Sequence, residues 1–149
     1  MKLGEKIKLV RKHRGLTQRE LGERLHLDGN AANRIAQYES EFRTPKESRT
    51  KDIAKALNAR EENFFVKAEM PEDIIRLLIW FDWEHGCGWS VPIDTILLFD
   101  NFEEVEKLLK EWYRQKGKLR MREITGAEYL EWMLQWPTVK EDNKIFCYR

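Results

Sequence analysis

Cysteine is scarce in this chain: only Cys87 and Cys147 occur, far apart and in no CxxC pair. That excludes a disulfide framework and a zinc ribbon, and both thiols are expected to be free. Also missing is any apolar run approaching the roughly 20 residues that a membrane-spanning helix needs. The N-terminal MKLGEKIKLVRKHRG has neither the apolar core nor the cleavage signal of a secretory leader. The expectation is a cytoplasmic protein with no membrane partner. What is present is enough apolar material for a core, since 42% of the 149 residues are hydrophobic and 17 are aromatic. A disordered chain is depleted in those side chains, so one medium or two small folded domains are expected.

A net charge of +1 conceals a segregation along the chain. Residues 1–66 carry 15 basic and 10 acidic residues, whereas 67–149 carry 12 and 16, and all six Trp lie in the second part. Two modules with a boundary near Lys67 to Pro71 are the simplest reading. A basic first module suits a polyanionic partner, although a solvated basic face looks the same by charge alone.

The first module reads as five short helices. Leu3, Ile7 and Val10 follow helical spacing up to Arg14-Gly15, where glycine suits a left-handed cap. Thr17 and Glu20 form a capping box that opens a second helix with Leu21 and Leu25 as its apolar stripe. Asp28-Gly29-Asn30 supplies a turn. A third helix begins near Asn30, buries Ala31, Ile35 and Tyr38, and leaves Asn33, Arg34 and Gln37 pointing elsewhere. Pro45 opens a fourth helix with Ile53, Ala54 and Leu57 inward. Glu61 to Phe65 makes a short fifth, with Phe64 and Phe65 as core plugs.

The order LTQRELGERL, turn, RIAQYESEFRTP resembles the Xre, or Cro repressor-like, helix-turn-helix family. Gln18, Leu21, Gly22, Ile35, Tyr38, Glu39 and Pro45 fall in register with that family's pattern. There are two departures: the stretch from Leu27 to Ala32 is about three residues longer than the usual turn, and Glu41 replaces the usual glycine. The resemblance implies a lambda-repressor-like DNA-binding domain over residues 1–66, with double-stranded DNA as partner. It implies that the third helix lies in the major groove while the start of the second abuts the phosphate backbone. Asn33, Arg34 and Gln37 are then the base readers, because Arg bridges guanine O6 and N7 while Asn or Gln bridges adenine N6 and N7. Gln18, Arg19, Arg43, Thr44 and Lys46 are the expected backbone contacts. Arg11 and Glu39 are implied as an internal ion pair between the first and third helices.

The second module, 67–149, is expected to be mostly helical and to serve dimerisation or partner binding. Pro71-Glu72-Asp73 starts a helix that is apolar on almost every side, so Ile75, Ile79, Trp80 and Trp83 are candidates for a dimer or partner interface. Gly86 and Gly88 break it. WSVP and TILLF are two short strand candidates for a small β-hairpin. Asp100 with Glu103 caps a helix running to Gly117, and Thr125 with Glu128 caps another that Pro137 stops. The segment MREITGAEYLEWMLQWP resembles a C-terminal part of Xre-type regulators from Gram-positive mobile elements.

No constellation supports an enzyme, a cofactor or a metal. Asp82 and Glu84 are two apart on a helix and face different directions. His85 and Cys87 lack further ligands, and His13 and His26 read as surface side chains. The leading reading is a transcriptional regulator, a repressor acting as a homodimer on an inverted-repeat operator. The alternative is a mobile-element protein whose second module inhibits a host nuclease or neutralises a toxin, with autoregulation by the first.

Overall fold

A computed structural model describes residues 1–65, 70–86 and 102–137, and every regular element in them is helical. The order is α1 (Leu3–His13), α2 (Gln18–Arg24), α3 (Ala31–Glu39), α4 (Glu47–Ala56), a single 3-10 turn at Glu61–Asn63, α5 (Pro71–His85), α6 (Phe102–Arg120) and α7 (Gly126–Gln135). The hairpin segment WSVP to TILLF, Gly88, Asp100 and the last twelve residues lie outside the described residues, as does most of the expected module boundary.

Local chemistry fixes the helix starts. Thr17 Oγ1 accepts the Glu20 N–H at 3.1 Å while the Glu20 carboxylate accepts the Thr17 N–H at 2.6 Å, and Thr125 with Glu128 repeats the arrangement at 3.2 and 2.7 Å. Asn30 caps α3 by accepting the Asn33 N–H at 3.1 Å. Pro45 does not open α4: it is buried two residues ahead, Lys46 is the N-cap, and Glu47 is the first helical residue. The expected fifth helix is only the 3-10 turn, with Phe64 buried and Phe65 half-buried.

Most helix ends share one geometry. After α1, Gly15 lies at φ +67°, its N–H bonds the Lys12 carbonyl, and the Leu16 N–H reaches back to Arg11. This pairing satisfies two orphan carbonyls of the last turn. The same pairing follows α2 at His26, α4 at Asn58 and α6 at Arg122, all non-glycine residues at positive φ. α6 therefore runs through Gly117 and ends one turn later than the glycine suggests.

One hydrophobic core runs through the described residues. Ile7, Val10, Leu21, Ile35, Ile53 and Leu57 are buried together with Ile75, Ile79, Trp80, Tyr129, Leu130, Met133, Leu134 and Trp136. The α5–α7 layer joins the first four helices around Asn63. Its Nδ2 donates to the Leu134 carbonyl at 3.0 Å, its Oδ1 accepts Trp80 Nε1 at 3.0 Å, and its own carbonyl accepts Lys6 Nζ at 2.9 Å. α6 is tied to α5 by Lys116 on Asp82 at 2.6 Å, and to α7 by Trp112 Nε1 on the Tyr129 hydroxyl at 3.0 Å. Glu84 holds the N-terminal amine, so the two paired acids of the sequence have separate structural partners.

Candidate nucleic-acid interface

α2 and α3 cross so closely that only glycine fits at one point. A Cβ on Gly22 would stand 2.7 Å from the Ala31 Cβ, and one on Gly4 of α1 would stand 2.5 Å from the Tyr38 carbonyl oxygen. Both lie below van der Waals contact, so α1, α2 and α3 are locked at backbone distance. With Ala31, Ile35, Tyr38 and Glu39 buried, the helix period turns Asn33 and Gln37 to the opposite side and sets Arg34 on the flank beside them. Asn33 is exposed and the other two half-buried. Among the described residues, none of these three side chains has a hydrogen-bond partner. Their donors and acceptors are available to a ligand.

Arg11 and Glu39 meet beneath that surface. Arg11 Nε donates to Glu39 Oε1 at 2.5 Å and Nη2 to Oε2 at 3.0 Å, while Nη1 donates to the Leu16 carbonyl at 2.6 Å. Gln18 Nε2 also donates to Glu39, at 2.9 Å. Gln18 thus helps hold α3 from the first turn of α2, and its part-buried amide is committed to that carboxylate. Arg19 is exposed and lies along α2 on Glu23 at 2.8 Å, an arrangement that leaves it close to solvent.

The loop from α3 to α4 supplies the rest of the surface. Glu41 occupies the left-handed region at φ +59° that the family pattern gives to glycine, and its carboxylate lies 3.2 Å from Lys2 Nζ. The Arg43 N–H returns to the Gln37 carbonyl at 3.1 Å. Arg43, Thr44 and Lys46 are exposed around buried Pro45, and Phe42 just ahead of them is 83% exposed.

Two expectations change. Ile75, Ile79 and Trp80 are buried in the chain's own core and Trp83 is half-buried, its ring stacked on Tyr129 at 6.0 Å, so the apolar circumference of α5 is largely covered from within. What α5 leaves outside is Ile74 and Phe81, at 43% and 47% exposure. His13 is no free surface side chain either, since its Nε2 lies 2.9 Å from Glu131 of α7. Reading by sequence also missed Arg14, which grips Glu131 with both terminal nitrogens and donates to the Leu57 and Asn58 carbonyls at 2.8 Å each.

Among the described residues no helix is long and apolar enough to cross a membrane. Comparison with curated proteins and with solved structures gave no match. Residues 4–69 match the family model of a helix-turn-helix domain, the segment that contains α1 to α4 and the Arg11–Glu39 lock. This part of the chain is a helix-turn-helix domain, consistent with an Xre-type regulator, and it implies DNA binding.

Proposed function

We propose that the protein is a sequence-specific transcriptional repressor that binds an inverted-repeat operator as a homodimer. The observation that carries the reading is the unpartnered trio Asn33, Arg34 and Gln37 on the outer side of α3, backed by buried Ile35 and Tyr38. The trio offers the planar bidentate groups that distinguish guanine and adenine in the major groove. Arg43, Thr44 and Lys46 flank it as phosphate contacts, and Arg19 can swing from its exposed ion pair to join them. Gln18, its amide held by Glu39, acts on this surface by fixing α3 against the first turn of α2.

A single small helical module contacts one half-site, and two copies reach half-sites about one helical turn apart. Ile74 and Phe81, seven residues apart and so on one face of α5, support self-association through that helix. Selection from a random duplex library tests the reading. The expected result is an enriched inverted repeat bound by two protomers. Enrichment of a lone half-site by a monomer would remove the homodimer, and absence of any enriched sequence would remove the specific operator.

A further inference from the structure

Phe42 is the most exposed large apolar side chain among the described residues, and it projects from the loop that flanks the recognition helix. The loop is held from three sides. Its backbone returns to α3 through the Glu41 and Arg43 N–H groups, Ser40 Oγ donates to the Gln37 carbonyl at 3.4 Å, and Pro45 is buried. The ring therefore stands in water on a fixed stem rather than on a loose one.

Its surroundings are cationic. Arg43 and Lys46 follow it with no ion-pair partner among the described residues, and the loop's one carboxylate, Glu41, is occupied by Lys2. An apolar partner protein would gain nothing from that setting. A nucleic-acid strand offers both halves of the match: phosphates for the cations, and the apolar edge of a deoxyribose or a thymine methyl for the ring.

We propose that Phe42 is an apolar DNA contact, packed against the sugar edge of the strand whose phosphates Arg43 and Lys46 neutralise. This rests on the DNA-binding reading of the domain and adds to it a contact that carries no charge. A contact of that kind has its own signature. Losing it weakens binding equally at every salt concentration, whereas losing a phosphate contact also reduces the slope of log affinity against log salt.

The experiment measures affinity of the full chain for a fluorescently labelled duplex carrying the selected operator, between about 50 and 200 mM salt. Wild type is compared with Phe42→Ser, Phe42→Leu and Arg43→Gln. Phe42→Ser is expected to bind about tenfold more weakly with unchanged slope. Phe42→Leu should keep most of the affinity, and Arg43→Gln should lower the slope by about one. The thermal midpoint of free Phe42→Ser should match wild type, because the ring is not part of the core.

Equal affinity of Phe42→Ser and wild type overturns the inference while leaving DNA binding intact. So does a loss that tracks a change in sedimentation of the DNA-free protein, which would place the ring against a second copy of the chain. Wild type that binds no duplex at the lowest salt overturns the DNA reading itself, a distinct result.

Discussion

Two arginines three residues apart, Arg11 in α1 and Arg14 at its C-cap, each grip a glutamate with two guanidinium nitrogens and also donate to backbone carbonyls. Arg11 meets Glu39 inside the helix-turn-helix domain, with side chains 9% and 4% exposed. Arg14 meets Glu131 across the junction to α7, with side chains 19% and 39% exposed. The chemistry is the same and the solvent is not. A buried pair whose partner is removed leaves a charge in low dielectric, whereas an exposed one returns its survivor to water. The first pair therefore fixes the geometry of α3 rigidly, and the second holds the α5–α7 layer by a contact that solvent weakens. Lys6, on the same helix, gives a third case: it is buried beside Asn63 and 4.6 Å over the Trp80 ring, with no carboxylate at salt-bridge distance among the described residues.

The largest expected effect comes from Arg11→Met, which strands Glu39 and leaves Gln18 as its main donor. Unfolding free energy should fall by about 3 to 5 kcal/mol, read by urea denaturation. Replacing Glu39 by Leu as well should recover much of the loss. Operator affinity should fall in the single variant, because α3 loses the contact that sets its position. A single variant as stable as wild type would erase the distinction between the two arginines.

Lys6 sharpens the comparison through pH. Burial pushes its ammonium from 10.5 down to about 8, with Glu84 raising it in part and Arg76 lowering it further. Because the folded value lies below the unfolded one, the unfolded chain binds more protons between pH 8 and 10.5, and stability from this group rises across that window. The gain is about 3 kcal/mol at its upper end. The stability difference between wild type and Lys6→Met should therefore shift in favour of wild type from pH 8 to 10.5. A flat difference would mean that Lys6 is hydrated in solution.

Arg14 and Glu131 should couple more weakly. A double-mutant cycle on Arg14→Leu and Glu131→Gln is expected to give about 1 kcal/mol, well below the Arg11 effect. Operator affinity should be unchanged in both single variants. Coupling as large as that of the buried pair would show that the junction is as dry as the domain interior.

Legibility in the sequence follows the range of the interaction. The capping boxes at Thr17 and Thr125, the Asn30 cap and the inward stripe of α3 are readable because both partners sit within one or two turns. The left-handed stops at Glu41 and Arg122 are not, since these side chains carry no mark of positive φ, and the leaning of Asn58 and His26 toward it is weak beside that of Gly15 and Gly86. Gly117 misleads for the same reason, because an exposed helix tolerates glycine when its neighbours continue the ladder. The apolar circumference of α5 is plain in the sequence, but its cover is not: Trp136 and Tyr129 come from about 50 residues downstream. Arg14 and Lys6 escaped notice because their partners, Glu131 and Asn63, are 117 and 57 positions away. The Arg11–Glu39 pair, 28 positions apart, also lies beyond local reading, and only the family resemblance brought it into view.

The smallest effect is acid loosening of the junction. The Arg14 hydrogen bond holds the Glu131 carboxyl below the ordinary carboxylate range, with desolvation opposing and the His13 hydrogen bond adding to the depression. A depressed folded value contributes stability that is present above the unfolded value near 4.5 and is lost as pH falls through the folded one. With Glu131 39% exposed, solvent screening keeps the amount below about 1 kcal/mol. Stability of wild type minus Glu131→Gln should be constant from pH 7 to about 5 and then shrink toward zero below it. Since every Trp lies beyond residue 79 and five of the six belong to α5–α7 or its C-cap, tryptophan emission reports mainly on that layer and can follow the loosening in native protein. A difference that grows on acidification would mean that Glu131 is held neutral in the folded chain and that Arg14 owes its position to the Leu57 and Asn58 carbonyls alone.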